Sequence, residues 1–236
     1  MKILHLYHDL MNLYGDYANI VAIEKLARLN SIEYSVDKLS VGDDINPEEY
    51  DFVYIGSGTE RNLKVMLEDM RRYADELKRY IDSGKPMLMT GNSFEALGAS
   101  VTDCDGKEYE GLGIFGFTSV EQNKKRIVGD VIYECGFLDS PLVGFVNKCS
   151  EISGITDTLF SVKMGPANAE GDSCEGTRKN NLFCTHLTGP ILVKNPHMLR
   201  YMLGLITSAD IDDSALTYEH KGYEVTLTEL NKRLGS

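Results

Sequence analysis

Met87-Leu88-Met89-Thr90-Gly91-Asn92-Ser93-Phe94-Glu95-Ala96-Leu97-Gly98 decides how this chain is read. An apolar run meets a Gly-Asn corner, and a short amphipathic segment follows, closed by glycine. The pattern predicts strand, tight turn and helix. In α/β enzymes such a corner often holds a nucleophile, because the sharp turn lifts one side chain out and aims nearby N–H groups at the substrate. Here that position is Gly91, which has no side chain to offer.

Upstream, Ile3 to Tyr7 reads as a buried strand, Asp9 to Asp16 as a loop and the Ile20, Ile23, Ala27 spacing as a helix ending near Asn30. Ile32 to Leu39 alternates as a second strand. Phe52-Val53-Tyr54-Ile55 is a continuous apolar run, suited to a strand buried on both faces, and it ends in Gly56-Ser57-Gly58-Thr59-Glu60. A long helix is expected from Asn62 to Ser83, stopped by Gly84-Lys85-Pro86. Helical connections between buried strands imply an α/β fold with a doubly wound, mostly parallel sheet flanked by helices. Ligands then sit at the C-terminal strand ends, where both the Gly56–Glu60 loop and the Gly91 corner fall.

Downstream the texture changes. Arg126 to Glu134, Leu142 to Val146 and Leu159 to Met164 read as short strands, giving a β-rich, antiparallel sheet edge. Gly165 to Asn181 is polar and reads as a loop. Leu182 to Leu187 returns as a strand, Thr188-Gly189-Pro190 breaks it, and Asn195-Pro196 opens a helix. Asp210 to Asp213 is an acidic loop before a final amphipathic helix over Tyr218 to Leu234. The whole, 1–236, is expected to form one domain with a helical extension over 210–236.

Composition narrows the function classes. Hydrophobic content is 42% and net charge −12. A strongly acidic chain lacks the clustered cations that displace counterions from nucleic acid. No apolar run approaches a membrane span, so no membrane insertion is expected. Five scattered cysteines without a C-x-x-C pair exclude a zinc ribbon or thioredoxin motif and suit a reducing, cytoplasmic setting. His5, His8 and Asp9 lack the company a metal site needs, so neither metal nor cofactor is expected.

Several segments carry a family likeness: His8-Asp9-Leu10-Met11-Asn12-Leu13-Tyr14-Gly15-Asp16-Tyr17-Ala18-Asn19, Ile55-Gly56-Ser57-Gly58, Glu110-Gly111-Leu112-Gly113, Gly144-Phe145-Val146-Asn147 and Leu187-Thr188-Gly189-Pro190-Ile191-Leu192-Val193-Lys194-Asn195. On these the chain resembles class I glutamine amidotransferases of the cobyric-acid-synthase-like branch, and within it the GatD-like glutaminase subunits of lipid II isoglutaminyl synthases. The likeness spans about residues 1–205 and implies a flavodoxin-like three-layer fold. It also implies glutamine or a related small amide as ligand, and a Mur-ligase-like synthetase of peptidoglycan synthesis as partner.

In that family a cysteine thiolate attacks the glutamine amide, a histidine takes its proton and backbone N–H groups hold the oxyanion. The resemblance puts the nucleophile at Gly91 and the base at Thr188, so both halves of the dyad are missing. Pro190 agrees with the GatD-like branch. Gly56, Ser57, Gly58 and Asn92 fall in the substrate-binding loop and corner, although a strand-to-helix turn needing glycine explains the first three equally well. Arg126 aligns with a glutamine-contacting arginine, with a solvated surface role as the plainer reading, and Lys148 stands where relatives have histidine.

Chemistry could also have moved. Cys184 and His186 are two apart on a strand and share a face, although a small buried hydrophobe and a packing residue explain them more simply. Cys149 beside Lys148 is a second such thiol, whereas Thr90 and Ser93 have no identifiable base. Three functions are therefore set side by side: a non-catalytic subunit docked on a synthetase, a glutaminase for lipid II or cobyrate-type amidation using relocated groups, and an amino-acid or amide binding protein.

Overall fold

A computed structural model of the protein describes residues 1–123 and 126–235. Ser236, the last residue of the expected helical extension, lies outside the described residues. Five strands run parallel: β1 (Lys2–Leu6), β2 (Ser35–Leu39), β3 (Phe52–Ile55), β4 (Met87–Thr90) and, late in the chain, β13 (Leu182–Thr185). Between β4 and β13 come β5 (Ser100–Thr102), β6 (Glu108–Glu110), β7 (Thr118–Glu121), β8 (Ile127–Glu134), β9 (Leu142–Lys148), β10 (Ser150–Ser153), β11 (Thr158–Met164) and β12 (Cys174–Lys179). The short β14 (Leu187–Thr188) follows β13. The main sheet has the order β14-β9-β8-β11-β12-β13-β4-β3-β1-β2, and a second sheet has the order β10-β7-β5-β6.

Both faces of the parallel half are covered. Helix α1 (Ala18–Leu29) packs Ile20, Ile23 and Leu26 with Phe52, Tyr54 and Leu88 on one face. Helices α2 (Glu60–Met70) and α3 (Ala74–Asp82) pack Leu63, Met66 and Leu77 against Leu4, Val53 and Met89 on the other. Strands β3 and β4 are thus buried throughout, as expected of parallel strands in a three-layer α/β fold. The short α4 (Ile191–Lys194) and α5 (Pro196–Thr207) join the α1 side, and α6 (Thr217–Leu234) lays Tyr223 and Leu230 on Ile132 and Val143.

Three expectations are corrected. The segment expected as a polar loop over 165–181 contributes β12, a strand inside the main sheet. Its polar residues Glu175 and Thr177 are buried because hydrogen bonds satisfy them: Glu175 accepts from Thr185 Oγ1, and Thr177 Oγ1 donates to the Asp157 carbonyl. The antiparallel strands lie at one side of the main sheet, as expected, and make up half of its strands. The helix expected over 62–83 breaks at a 3-10 turn over 71–73, where Tyr73 turns inward to meet the Tyr7 hydroxyl beside Asp69. Finally, the segment after the corner is a 3-10 turn from Gly91 to Leu97, not a regular helix.

The motif ending in Asn195 acts as a clamp. Its fully buried side chain accepts from the Val143 N–H (2.8 Å) and donates to the carbonyls of Val143 (2.9 Å) and Ile191 (2.8 Å), tying α4 and α5 to β9. Asn195→Ala would strand those groups away from water and is expected to lower the unfolding free energy by about 3 kcal/mol, read by urea denaturation.

Candidate functional site

The corner where the sequence resemblance puts a nucleophile is a left-handed turn at glycine. Gly91 sits at φ +65°, a left-handed conformation that side chains rarely adopt. A Cβ there would lie 2.1 Å from the Cβ of Ser57 and 2.9 Å from its Oγ. Ser57 therefore fills the space into which a side chain at 91 would project. It reaches that space because β3 and β4 are parallel neighbours whose C-terminal ends lie side by side.

The Gly56–Gly58 loop is pinned from two sides. The Ser57 N–H donates to Asp16 Oδ2 (2.8 Å), and the Gly58 N–H donates to Asn92 Oδ1 (3.0 Å). Both of these loop donors are therefore engaged by the chain's own side chains. Glycine is required by close approach: a Cβ at Gly56 would lie 2.4 Å from the Met11 carbonyl oxygen, and one at Gly58 2.3 Å from Met11 Sδ.

The N-terminal signature explains this pinning. Asp16 is fully buried and also accepts from Thr90 Oγ1 (3.0 Å). Burial pushes its carboxyl up to about 6, against the hydrogen bonds from Ser57 and Thr90 that favour the charged form. Asn19 donates to the Tyr54 hydroxyl and accepts from the Leu192 N–H (2.9 Å). The signature thus holds the β3 loop, the corner and α4 in register.

The remaining pocket wall is closed. Thr188, where the resemblance puts the base, donates its hydroxyl to the Phe145 carbonyl (3.0 Å). Arg126 bonds Asn147 through Nε (2.6 Å) and Glu60 through a terminal nitrogen (2.6 Å). Burial opposes ionisation of Glu60, yet Arg126 and the Cys149 thiol, which also donates to it (3.1 Å), hold its carboxyl below the usual range. Tyr14, Ser57, Asn92, Glu95, Arg126 and Lys148 are among the residues lining a cavity of about 10 Å³. That is roughly the room one water needs.

Beneath the pocket lies a buried charge cluster. His186 faces Glu95 Oε1 through Nε2 (3.2 Å) and Glu175 Oε1 through Nδ1 (3.3 Å), and all three side chains are about 1% exposed. Ser150 donates to Glu95 Oε1 (2.5 Å), Ser119 donates to Oε2, and the His186 N–H donates to Glu175 (2.7 Å). Buried Lys148 donates to the carbonyls of Ala167 and Asn168 (2.6 Å each); desolvation lowers its pKa, while Glu175 and Glu95 act to raise it. The cluster bolts the second sheet, through Ser119 and Ser150, to the main sheet.

The other sequence candidates fall into place around it. Cys184 is fully buried among apolar side chains, and burial pushes its thiol well up. His186 turns both ring nitrogens to carboxylates. Cys149 stands at the pocket, but burial and the Glu60 carboxylate push its thiol up to about 12, far from a thiolate at neutral pH. Ser93 Oγ donates to the Thr90 carbonyl (2.9 Å). Among the described residues, no group of three or more His, Cys, Asp or Glu could hold a metal ion, and no helix is long and apolar enough to cross a membrane. Sequence reasoning missed Glu60, Glu95 and Glu175. Only the position of Glu60 in the first turn of a helix beside a glycine loop signalled that it borders the site.

The fold and the corner at the end of β4 define the class, an α/β protein with the architecture of class I glutamine amidotransferases. The glutaminase domain of Trypanosoma brucei CTPS, solved with acivicin bound, has the same fold: TM-score 0.56 at 10% identity, over 90% of this chain and 96% of that one. The profile of the CobB/CobQ-like glutamine amidotransferase domain matches residues 2–196, and the chain belongs to that family. It is 32% identical over 203 residues to the GatD subunit of the glutamine-hydrolyzing lipid II isoglutaminyl synthase of Staphylococcus aureus, covering 86% of this chain and 83% of that subunit. The Streptococcus pneumoniae GatD subunit is 30% identical over 200 residues, covering 84% of this chain and 77% of that subunit.

Proposed function

We propose that this chain is a non-hydrolysing GatD-like subunit that docks on, or regulates, a Mur-ligase-like amide synthetase of lipid II amidation. The observation that carries the reading is Ser57, whose side chain fills the place of the nucleophile's Cβ at Gly91. Both loop N–H donors are engaged by Asp16 and Asn92, which supports the same reading. A scaffold kept intact around a site with neither nucleophile nor base fits a role in assembly. The resemblance to two synthase subunits supports the choice of partner class.

A glutaminase with relocated groups is disfavoured, since Cys184 is sealed in the core and His186 is held by two carboxylates. Amino-acid binding at this pocket is disfavoured, because its cavity has room for about one water. The test is ammonia release from L-glutamine by the purified chain, alone and with a co-expressed synthetase of the same organism. A stable complex with no release is expected. Release that exceeds the background and survives repurification would sink the proposal, as would failure to bind any such synthetase.

A further inference from the structure

The closed pocket contains two recognition groups and two groups that answer them. The recognition groups are the Arg126 guanidinium and the Gly58 N–H; the answering groups are the Glu60 carboxylate and the Asn92 carboxamide. All four residues line the same small cavity. A guanidinium fork suits a carboxylate, and a backbone donor beside a tight turn suits an amide oxygen. The chain therefore presents, from its own side chains, the two end groups of a carboxylate–carboxamide compound.

We infer that Glu60 and Asn92 act as a built-in ligand that keeps the pocket shut against free glutamine and compounds like it. The inference deepens the proposed function and rests on it, since a site that turned over glutamine could not keep its donors occupied. Tethering makes the internal groups strong competitors. Each is fixed on a rigid element, Glu60 in the first turn of α2 and Asn92 in the turn after β4. Their effective concentration therefore exceeds the millimolar level of even a short flexible tether, and no translational freedom is lost when they bind. The Arg126–Glu60 pair is partly exposed, with side chains 41% and 30% accessible. Such a pair adds little to stability, so it can be removed without unfolding the chain.

The test is isothermal titration calorimetry with L-glutamine on the purified chain and on a Glu60→Ala, Asn92→Ala double variant. The chain itself is expected to give no saturable heat at millimolar glutamine. The double variant is expected to bind with a Kd at least about tenfold below that limit. Glutarate, which lacks the amide, is expected to bind the variant more weakly, and equal binding would overturn the assignment of Asn92. Saturable glutamine binding by the unaltered chain overturns the inference, as does a folded double variant that binds nothing. Should the variant fail to fold, nuclear magnetic resonance of the Arg126 terminal Nη–H that faces Glu60 in the unaltered chain decides. That signal is expected to stay put as glutamine is added, and a saturable shift means an external carboxylate has reached it. Glutamine binding without ammonia release would leave the proposed function standing and remove this inference alone.

Discussion

Gly91→Cys combined with Thr188→His is expected to restore no glutaminase activity and to lower Tm by about 10 °C. The new Cβ at 91 would start 2.1 Å from the Ser57 Cβ, inside any real contact distance. Overpacking costs about 1–3 kcal/mol. A side chain in the left-handed region adds roughly 1–2 kcal/mol. For a chain of this size each kcal/mol moves Tm by about 2–4 °C. Adding Ser57→Gly removes the obstructing side chain, and Asn92→Gly with Glu60→Ala frees the Gly58 and Arg126 donors. The five-residue variant is therefore expected to release ammonia at least about 100-fold above the unaltered chain, the low end of what a positioned acid–base group contributes. A glutamate-dehydrogenase-coupled assay and a melting curve read both effects. Release by the two-residue variant equal to that of an active five-residue variant would show that Ser57 yields easily, and would remove it as the residue that closes the site.

Glu95→Ala is expected to be the most damaging single substitution in the site, at about 3–5 kcal/mol. The substitution leaves the buried His186 ring without its Nε2 partner, and a stranded buried polar group costs about 1–3 kcal/mol. Here it also takes the acceptor from the Ser119 and Ser150 hydroxyls. A Tm loss of about 10–15 °C follows. The effect depends on pH in a definite direction. Burial works against the Glu95 anion, but His186 and the two serines hold its carboxyl below the ordinary value. A carboxyl depressed in the folded state stabilises the fold above its unfolded pKa and loses that contribution as pH falls through the folded one. The gap between the two proteins in differential scanning calorimetry should therefore narrow as pH drops below about 4.5. A gap that stays constant down to pH 3 would mean that Glu95 acts through packing, with its charge irrelevant.

Much of the architecture was legible in the sequence because it is written in local period. The apolar runs at 3–7, 52–55 and 87–89 read as strands, the one at 52–55 as buried on both faces, and α1 showed its stripe. The exceptions have physical causes. Strand β12 is polar, and its burial depends on partners contributed by β13 and the residues after it, which no window of sequence reveals. The break between α2 and α3 depends on Tyr7, 66 residues before Tyr73.

What the sequence by itself determined is the α/β class, the family likeness and the presence of glycine at 91 and threonine at 188, since residue identity is the same in any fold. Only the tertiary structure decided what stands against Gly91. Ser57 reaches into the corner because parallel pairing of β3 and β4 sets their ends side by side. Arg126 closes on Glu60 across 66 residues, and Glu95 meets His186 across 91. Contacts between residues so far apart in the chain follow from sheet order and loop packing. Residue type and local spacing do not encode them.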